Sequence, residues 1–469
     1  MTGFEEVVEM NMDRMAQLEK FIFERMADSK IPGLSIVILK DGRVLYAKGF
    51  GFRDIHKGLN ATPKTIYCIG SVTKSFTALA IMRLRDQGLL SLDDPVERFI
   101  PFNIRPKGGI VKIRHLLSHT SGLPSLGYAE ATLSMLTGTS SSWFPISNLQ
   151  DLLVFMNGAQ DWAISRPGEI YSYLNEGYIL LGGIIEKASG MDYARYVKSH
   201  ILEPLRMNRS TFFEEDIGKE FDVATPYITS EKGEKIPTRY PYGQLLSDGG
   251  LMSSALDMAN FLKMILSEGL FEDRRIISSD SLKEMMEPKV RTPERPITGE
   301  DYRYYCFGIR MKSNFLGYKL HHHSGSVFGS SAYMGFIPEC KIGVAILSNG
   351  GYFLEPIGEY ALALILDKDP LEIPSFRRML TLDKLTGIYA SFRDTLNYKV
   401  SRNGGVLQLE SSFESYRFIT PLIPVEIGGE TKEFLVYGLD TTTPIQFIRE
   451  NGDTFMIYER NKLRKIREI

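Results

Sequence analysis

Runs of β-forming residues stand at both ends of a long helical stretch, and that arrangement constrains the fold more than any other feature of the chain. Residues 34–39 and 44–46 flank Asp41-Gly42, a dipeptide that favours positive φ and a tight hairpin turn. Comparable runs return only at 320–324, 332–337 and 343–348, followed by a helical pattern over 356–366. Between them, residues 71–90 read as a helix, with Phe76, Leu79, Ala80, Met82 and Leu84 apolar and Gly88 as its terminator. Residues 113–118, 149–156 and 176–188 read as further helices separated by loops rich in Gly, Ser and Pro. Two distant groups of strands around helices predict one sheet assembled from both ends, with a mostly helical subdomain over roughly 90–265. An amphipathic helix over 4–27, with Phe4, Val7, Val8, Met15, Leu18, Phe21 and Ile22 at helical spacing, precedes the first strand, and Pro32 ends it.

After Asp367 the texture changes. Asp369-Pro370 and Ile373-Pro374 punctuate the chain, and short alternating strands follow at 387–392, 398–400, 406–409, 434–437 and 454–458, with Gly, Asn and Asp turns. That spacing predicts a small antiparallel barrel or sandwich. The expected organisation is therefore a domain over 1–370 and a barrel over 371–469.

Composition removes several classes of function. The 469 residues carry 55 Lys plus Arg against 57 Asp plus Glu, a net charge of −2. A dedicated nucleic-acid binder needs a clustered cationic excess, so no nucleic-acid partner is expected. The strongest apolar stretches, 178–185 and 361–366, fall well short of a membrane span, and the acidic N-terminus does not read as a secretory signal. Three cysteines, Cys68, Cys306 and Cys340, argue against a disulfide framework; a reducing, cytoplasmic location is expected.

The chain lacks Gly-x-Ser-x-Gly, His-Glu-x-x-His, Gly-x-Gly-x-x-Gly and a phosphate-binding loop. It contains one Ser-x-x-Lys, Ser71-Val72-Thr73-Lys74, opening a helix directly after the strand-like run 66–70. Three residues is close to one helical turn, so Ser71 and Lys74 share a face and the amine can reach the hydroxyl. The helix N-terminus adds N–H groups suited to an oxyanion. The only Tyr-x-Asn follows at Tyr173-Leu174-Asn175, and His323-Ser324-Gly325-Ser326 lies on a predicted strand.

With these motifs in this order the chain resembles the serine β-lactamase and penicillin-recognising enzymes, in the branch of class C β-lactamases, DD-peptidases, D-aminopeptidases and related esterases. The resemblance covers roughly residues 30–350. It includes Ile113-Arg114-His115-Leu116-Leu117-Ser118-His119-Thr120-Ser121-Gly122-Leu123-Pro124, and Gly249-Gly250-Leu251-Met252-Ser253-Ser254 with Asp257. It implies an α+β fold: a mixed or antiparallel sheet flanked by helices beside an all-helical subdomain, with the active site in the groove between. The C-terminal barrel resembles the lipocalin-like appendage of some members; it could cap the groove, bind a ligand or build a homo-oligomer.

Carried over residue by residue, the resemblance makes Ser71 the nucleophile, Lys74 its activating partner and Tyr173 the proton shuttle. Asn175 orients Lys74 and contacts the substrate, and the N–H groups of Ser71 and Ser326, beside Gly325, form the oxyanion hole. A tyrosine with a pKa near ~10 needs nearby positive charge to serve as a base at neutral pH. His323 stands where β-lactamases carry the Lys of Lys-Thr-Gly, which weakens the expectation of strong β-lactam carboxylate binding and favours an amidase, peptidase or esterase. The substrate expected is a small molecule or short peptide, and this chemistry requires neither metal nor organic cofactor. The alternatives are a true β-lactamase or DD-carboxypeptidase, and a catalytically idle scaffold.

Blander readings stand beside these. Tyr173 could be a packed aromatic and Asn175 a helix cap. His321 and His323 share a strand face, but no acid or Cys with ligand spacing is adjacent. For His115 and His119 a helix-end hydrogen-bonding role is preferred to a metal pair, and Cys68 reads as a core thiol. Tyr302, Tyr304, Tyr305 and Trp143 either wall the groove or simply pack. The basic tail Arg460, Lys462, Arg464, Lys465 and Arg467 reads as a solvated edge strand or terminus.

Overall fold

Asp41 and Gly42 both take positive φ, 51° and 76°, and turn strand Gly33–Lys40 into strand Arg43–Asp54. The computed structural model describes residues 11–136, 146, 148–218, 222–230, 232–243, 246–295, 301–351, 353–413, 416–428 and 431–468. Strand Gly33–Lys40 also pairs with Ile342–Ser348, Leu34 opposite Ser348 and Lys40 opposite Ile342. The sheet has nine strands in the order Val290–Arg291, Arg303–Tyr305, Arg310–Phe315, Tyr318–Val327, Ser330–Ile337, Ile342–Ser348, Gly33–Lys40, Arg43–Asp54 and Leu59–Asn60. Every pairing in it is antiparallel, so of the two expected forms the sheet takes the second.

Alternation along the central strands explains why they are apolar on both sides. Val37, Leu39, Ala345 and Leu347 join the core formed with helices Thr73–Asp86 and Ala255–Leu266. Ile36, Ile38, Val344 and Ile346 are equally buried but lie outside that cluster. Helix Thr73–Asp86 is buried from Thr73 through Met82, and Phe76 stacks on Phe261 with centroids 4.1 Å apart. A helix enclosed on all sides cannot drift, which fixes the position of the Ser71 turn at its start.

The first helix spans Met12–Asp28, capped by the Asn11 side chain; the start of the expected helix, with Phe4, Val7 and Val8, falls outside the described residues. Among the described residues, no helix is long and apolar enough to cross a membrane.

By its internal contacts the chain divides into two compact units, Met1–Lys368 and Asp369–Ile469. The second is a closed, all-antiparallel barrel of eight strands, from Gly387–Ala390 to Asn461–Arg467. Helix Pro374–Leu385 precedes it and contributes Leu382 and Leu385 to a core with Tyr389, Phe434 and Phe447. The basic tail is not an edge: Asn461–Arg467 pairs with Asp453–Tyr458 on one side and Gly387–Ala390 on the other, buries Leu463, exposes Lys462 and Arg464, and folds Lys465 back so that its Nζ donates to the Lys384 carbonyl.

Candidate active site

Strand Ile66–Cys68 delivers the chain into a single 3-10 turn, Gly70–Val72, that runs into helix Thr73–Asp86. Gly70 has φ +52°, a left-handed conformation that costs other residues, and a Cβ there would lie 2.7 Å from the Ser326 nitrogen. A Cβ on Gly325 would lie 2.0 Å from the Ile69 oxygen and 2.8 Å from the Ser71 nitrogen. Two glycines thus let strand Tyr318–Val327 approach the nucleophile turn closely enough to bring the backbone N–H groups of Ser71 and Ser326 together.

The Gly249–Ser254 signature braces the same turn. Ile69 N–H donates to the Leu251 carbonyl at 2.9 Å, Leu251 N–H donates to Thr73 Oγ1 at 3.2 Å, and Met252–Ser254 pairs with Ile66–Cys68. Ser254 then caps helix Ala255–Leu266. Cys68 is buried, which pushes its thiol up to about 12; its Sγ lies 3.4 Å from the Gly249 carbonyl.

Lys74, one turn on, is fully buried. Its Nζ donates to Ser71 Oγ at 3.1 Å, to Asn175 Oδ1 at 2.8 Å and to the Asp248 carbonyl at 2.7 Å. It lies 5.0 Å from the centre of the Tyr173 ring. Asn175 is the first residue of helix Asn175–Ser189 and Tyr173 lies just before it, which explains how both motif residues reach one lysine. The structure therefore brings Ser71, Lys74, Tyr173 and Asn175 together, with Gly325 and Ser326 against the turn.

His323 is 1% exposed. Its Nδ1 lies 2.8 Å from the Ser324 carbonyl, which can only accept, so the ring proton sits there and Nε2 accepts from the Tyr305 hydroxyl at 3.1 Å. Burial, followed by Arg310 and Lys74, pushes His323 well below the usual histidine range. It is a neutral part of the wall. His321 is likewise buried, with Nε2 3.1 Å from the Met286 carbonyl.

Motifs did not reveal the rest of the wall. Arg310, on strand Arg310–Phe315, places its guanidinium carbon 5.6 Å from the Tyr173 ring centre and 5.8 Å from that of Tyr305. Its other contacts are long, 3.2 Å to the Tyr171 hydroxyl and 3.4 Å to Glu294. Of the four aromatics considered, Tyr305 is fully buried in this cluster, Tyr302 lies under Arg291, Tyr304 packs on the core and Trp143 falls outside the described residues. Glu176 is buried with Oε1 accepting from Tyr128 N–H, and Glu169 accepts from Arg166 N–H. Asp248, whose carbonyl holds Lys74, has a fully buried carboxyl that desolvation pushes up to about 7.

A family model described as Beta-lactamase matches residues 18–367. The chain belongs to the beta-lactamase family. A second model, the Pab87 octamerisation domain, matches residues 370–464 of this beta-lactamase-family chain. The chain is similar to a solved octameric penicillin-binding protein homologue from Pyrococcus abyssi, at 43% identity and a TM-score of 0.89, covering 96% of this chain and 100% of that one. Penicillin-binding protein 4* of Bacillus subtilis (strain 168) is 27% identical over 462 residues, 93% of this chain and 95% of that protein. Protein flp of Staphylococcus aureus (strain MW2) is 28% identical over 347 residues, 72% of this chain; the match spans 63% of that relative's length.

Proposed function

We propose that this chain is a serine hydrolase that cleaves a small amide, a peptide (D-amino-acid peptides included) or an ester through an acyl-Ser71 intermediate. The observation that carries the reading is the convergence on Ser71: Lys74 Nζ lies 3.1 Å from Ser71 Oγ and is held there by the Asn175 Oδ1 and Asp248 carbonyl oxygens. In this reading the Ser71 proton passes to Tyr173, whose ring lies near both the Lys74 amine and the Arg310 guanidinium. Ser71 Oγ bonds to the carbonyl carbon, and the displaced electron pair on oxygen is held by the N–H groups of Ser71 and Ser326. Tyr173 gives its proton to the departing amine or alcohol, and water then releases the acyl group by the same route in reverse.

Intact-protein mass spectrometry after exposure to a fluorophosphonate and, separately, to a fluorescent penicillin tests this. The expected result is an adduct on wild type, mapped to Ser71 and absent from Ser71→Ala, which also loses turnover while remaining folded. Folded wild type that reacts with neither probe would leave the idle scaffold as the better reading.

Arg310 favours a second reading, cleavage of β-lactams or of peptides ending in a free carboxylate. With His323 neutral, Arg310 supplies a cation beside Tyr173, and a guanidinium suits bidentate carboxylate binding. Under this reading Arg310→Gln raises KM for a peptide ending in a free D-carboxylate but not for its C-terminal amide; equal effects on both would remove it.

Assembly into a homo-oligomer through residues 370–464 belongs to the same proposal, supported by the octamerisation-domain match and the octameric homologue. So does a cytoplasmic location, supported by three cysteines that are all free thiols.

A further inference from the structure

His119 follows helix Ile113–Leu117, and its side chain does not cap it; His115 does the helix-end work, its Nδ1 accepting from Lys112 N–H at 3.1 Å. His119 instead reaches 55 residues along the chain, where its Nδ1 lies 3.0 Å from the Leu174 nitrogen, between Tyr173 and Asn175. A backbone N–H can only donate, so Nδ1 accepts and a neutral ring carries its proton on Nε2. Nε2 is buried and has no hydrogen-bond partner among the described residues. The backbone on either side ties down the same loop: the His119 carbonyl accepts from Ser172 N–H at 2.8 Å and the Thr120 carbonyl from Gly168 N–H at 2.7 Å.

The ring lies 4.1 Å from that of Tyr173, and 4.6 Å and 5.0 Å from those of Tyr305 and Tyr178. His119 also holds φ +56°, uncommon for a residue with a side chain. A buried donor without an acceptor and a left-handed backbone both cost stability. Two costs at one residue, beside the loop that carries Tyr173 and Asn175, point to a role in function.

We propose that His119 is a positioning residue that acts on Tyr173 through the Leu174 amide, holding the phenol at a fixed distance from Lys74 and Arg310. The proposal rests on the assignment of Tyr173 as the proton shuttle. The charged and titratable groups facing the pair are Lys74, Arg310, His323, Tyr171, Tyr178 and Tyr305. Burial, followed by Lys74, Arg310 and His323, keeps the imidazole neutral, so His119 itself does not titrate near pH 7. Loosening the loop moves the phenol out of place beside Lys74, which lowers kcat more than it changes KM.

His119→Phe keeps a ring but loses the acceptor. His119→Asn places an amide oxygen near the Nδ1 position and tolerates the left-handed backbone. The expected result is a kcat at least ~10-fold lower for His119→Phe, with KM little changed, and partial recovery in His119→Asn. A His119→Phe enzyme with wild-type kcat, while wild type still labels at Ser71, overturns this proposal alone. A wild type that does not label at Ser71 overturns the assignment beneath it. Histidine-labelled NMR of the wild type gives a check that needs no variant: with seven histidines to assign, His119 should remain the neutral Nε2–H tautomer from pH 5 to 9. Protonation or the other tautomer would also overturn the proposal.

Discussion

At Lys74 the amino head group meets a hydroxyl, an amide oxygen and a main-chain carbonyl, and the proposed mechanism gives the proton transfer to Tyr173. Tyr173→Phe is therefore expected to slow acylation by ~10² to 10⁴-fold with the fold unchanged; a wild-type rate in single-turnover assays would move the role elsewhere. Asp248 leads to a pH prediction. Its buried carboxyl has a pKa of about 7, against an ordinary 3.8, so between those values the folded state keeps a proton that the unfolded state gives up. Stability contributed by that protonated form is present below pH 4 and is lost as pH rises towards 7, by up to a few kcal/mol. Asp248→Asn should match wild type in urea melts at pH 4 and exceed it at pH 8; parallel curves would contradict the assignment. Ser71, Lys74, Tyr173 and Asn175 were readable in the sequence because their spacing is local. The Asp248 carbonyl was not, since any residue has one, and Arg310 carries no motif: its place depends on pairing opposite His322.

Elements show the same division. The hairpin at Asp41-Gly42 and the helix after Ser71 follow from local chemistry, and both were legible. In the barrel, Ile373-Pro374 read as a break, yet Pro374 opens helix Pro374–Leu385, where a missing N–H costs nothing. Strand Tyr416–Glu426 was hidden by Pro421 and Pro424, and Asn461–Arg467 by its run of charged residues. The contact between strand Tyr318–Val327 and the nucleophile turn was invisible for another reason: it is made of backbone. Gly325→Ala pushes a methyl group into Ile69 and Ser71, so fluorophosphonate labelling of Ser71 should slow by ~10²-fold or more while the protein remains folded. Unchanged labelling would mean that the strand can retreat without cost.

For the molecule as a whole, the C-terminal barrel is closed, with no free strand edge among the described residues, so copies of the chain cannot join by extending its sheet. Light scattering on the full-length protein should give a mass several times the 53.1 kDa chain; a monomer at micromolar concentration would contradict assembly.

The nine-stranded sheet bears on how the chain is made. Strand Gly33–Lys40 is an interior strand of that sheet, and one of its two neighbours, Ile342–Ser348, is translated last among the sheet's strands. At ~5–20 residues per second, the ribosome takes roughly a quarter of a minute to a minute to make the intervening chain. For that time an apolar strand stands with one edge open, and the turn carrying Ser71 lacks the strand that lies against it. The proposed oxyanion hole, which needs the N–H of Ser326, is therefore completed only late in synthesis, when strand Tyr318–Val327 reaches the Ser71 turn.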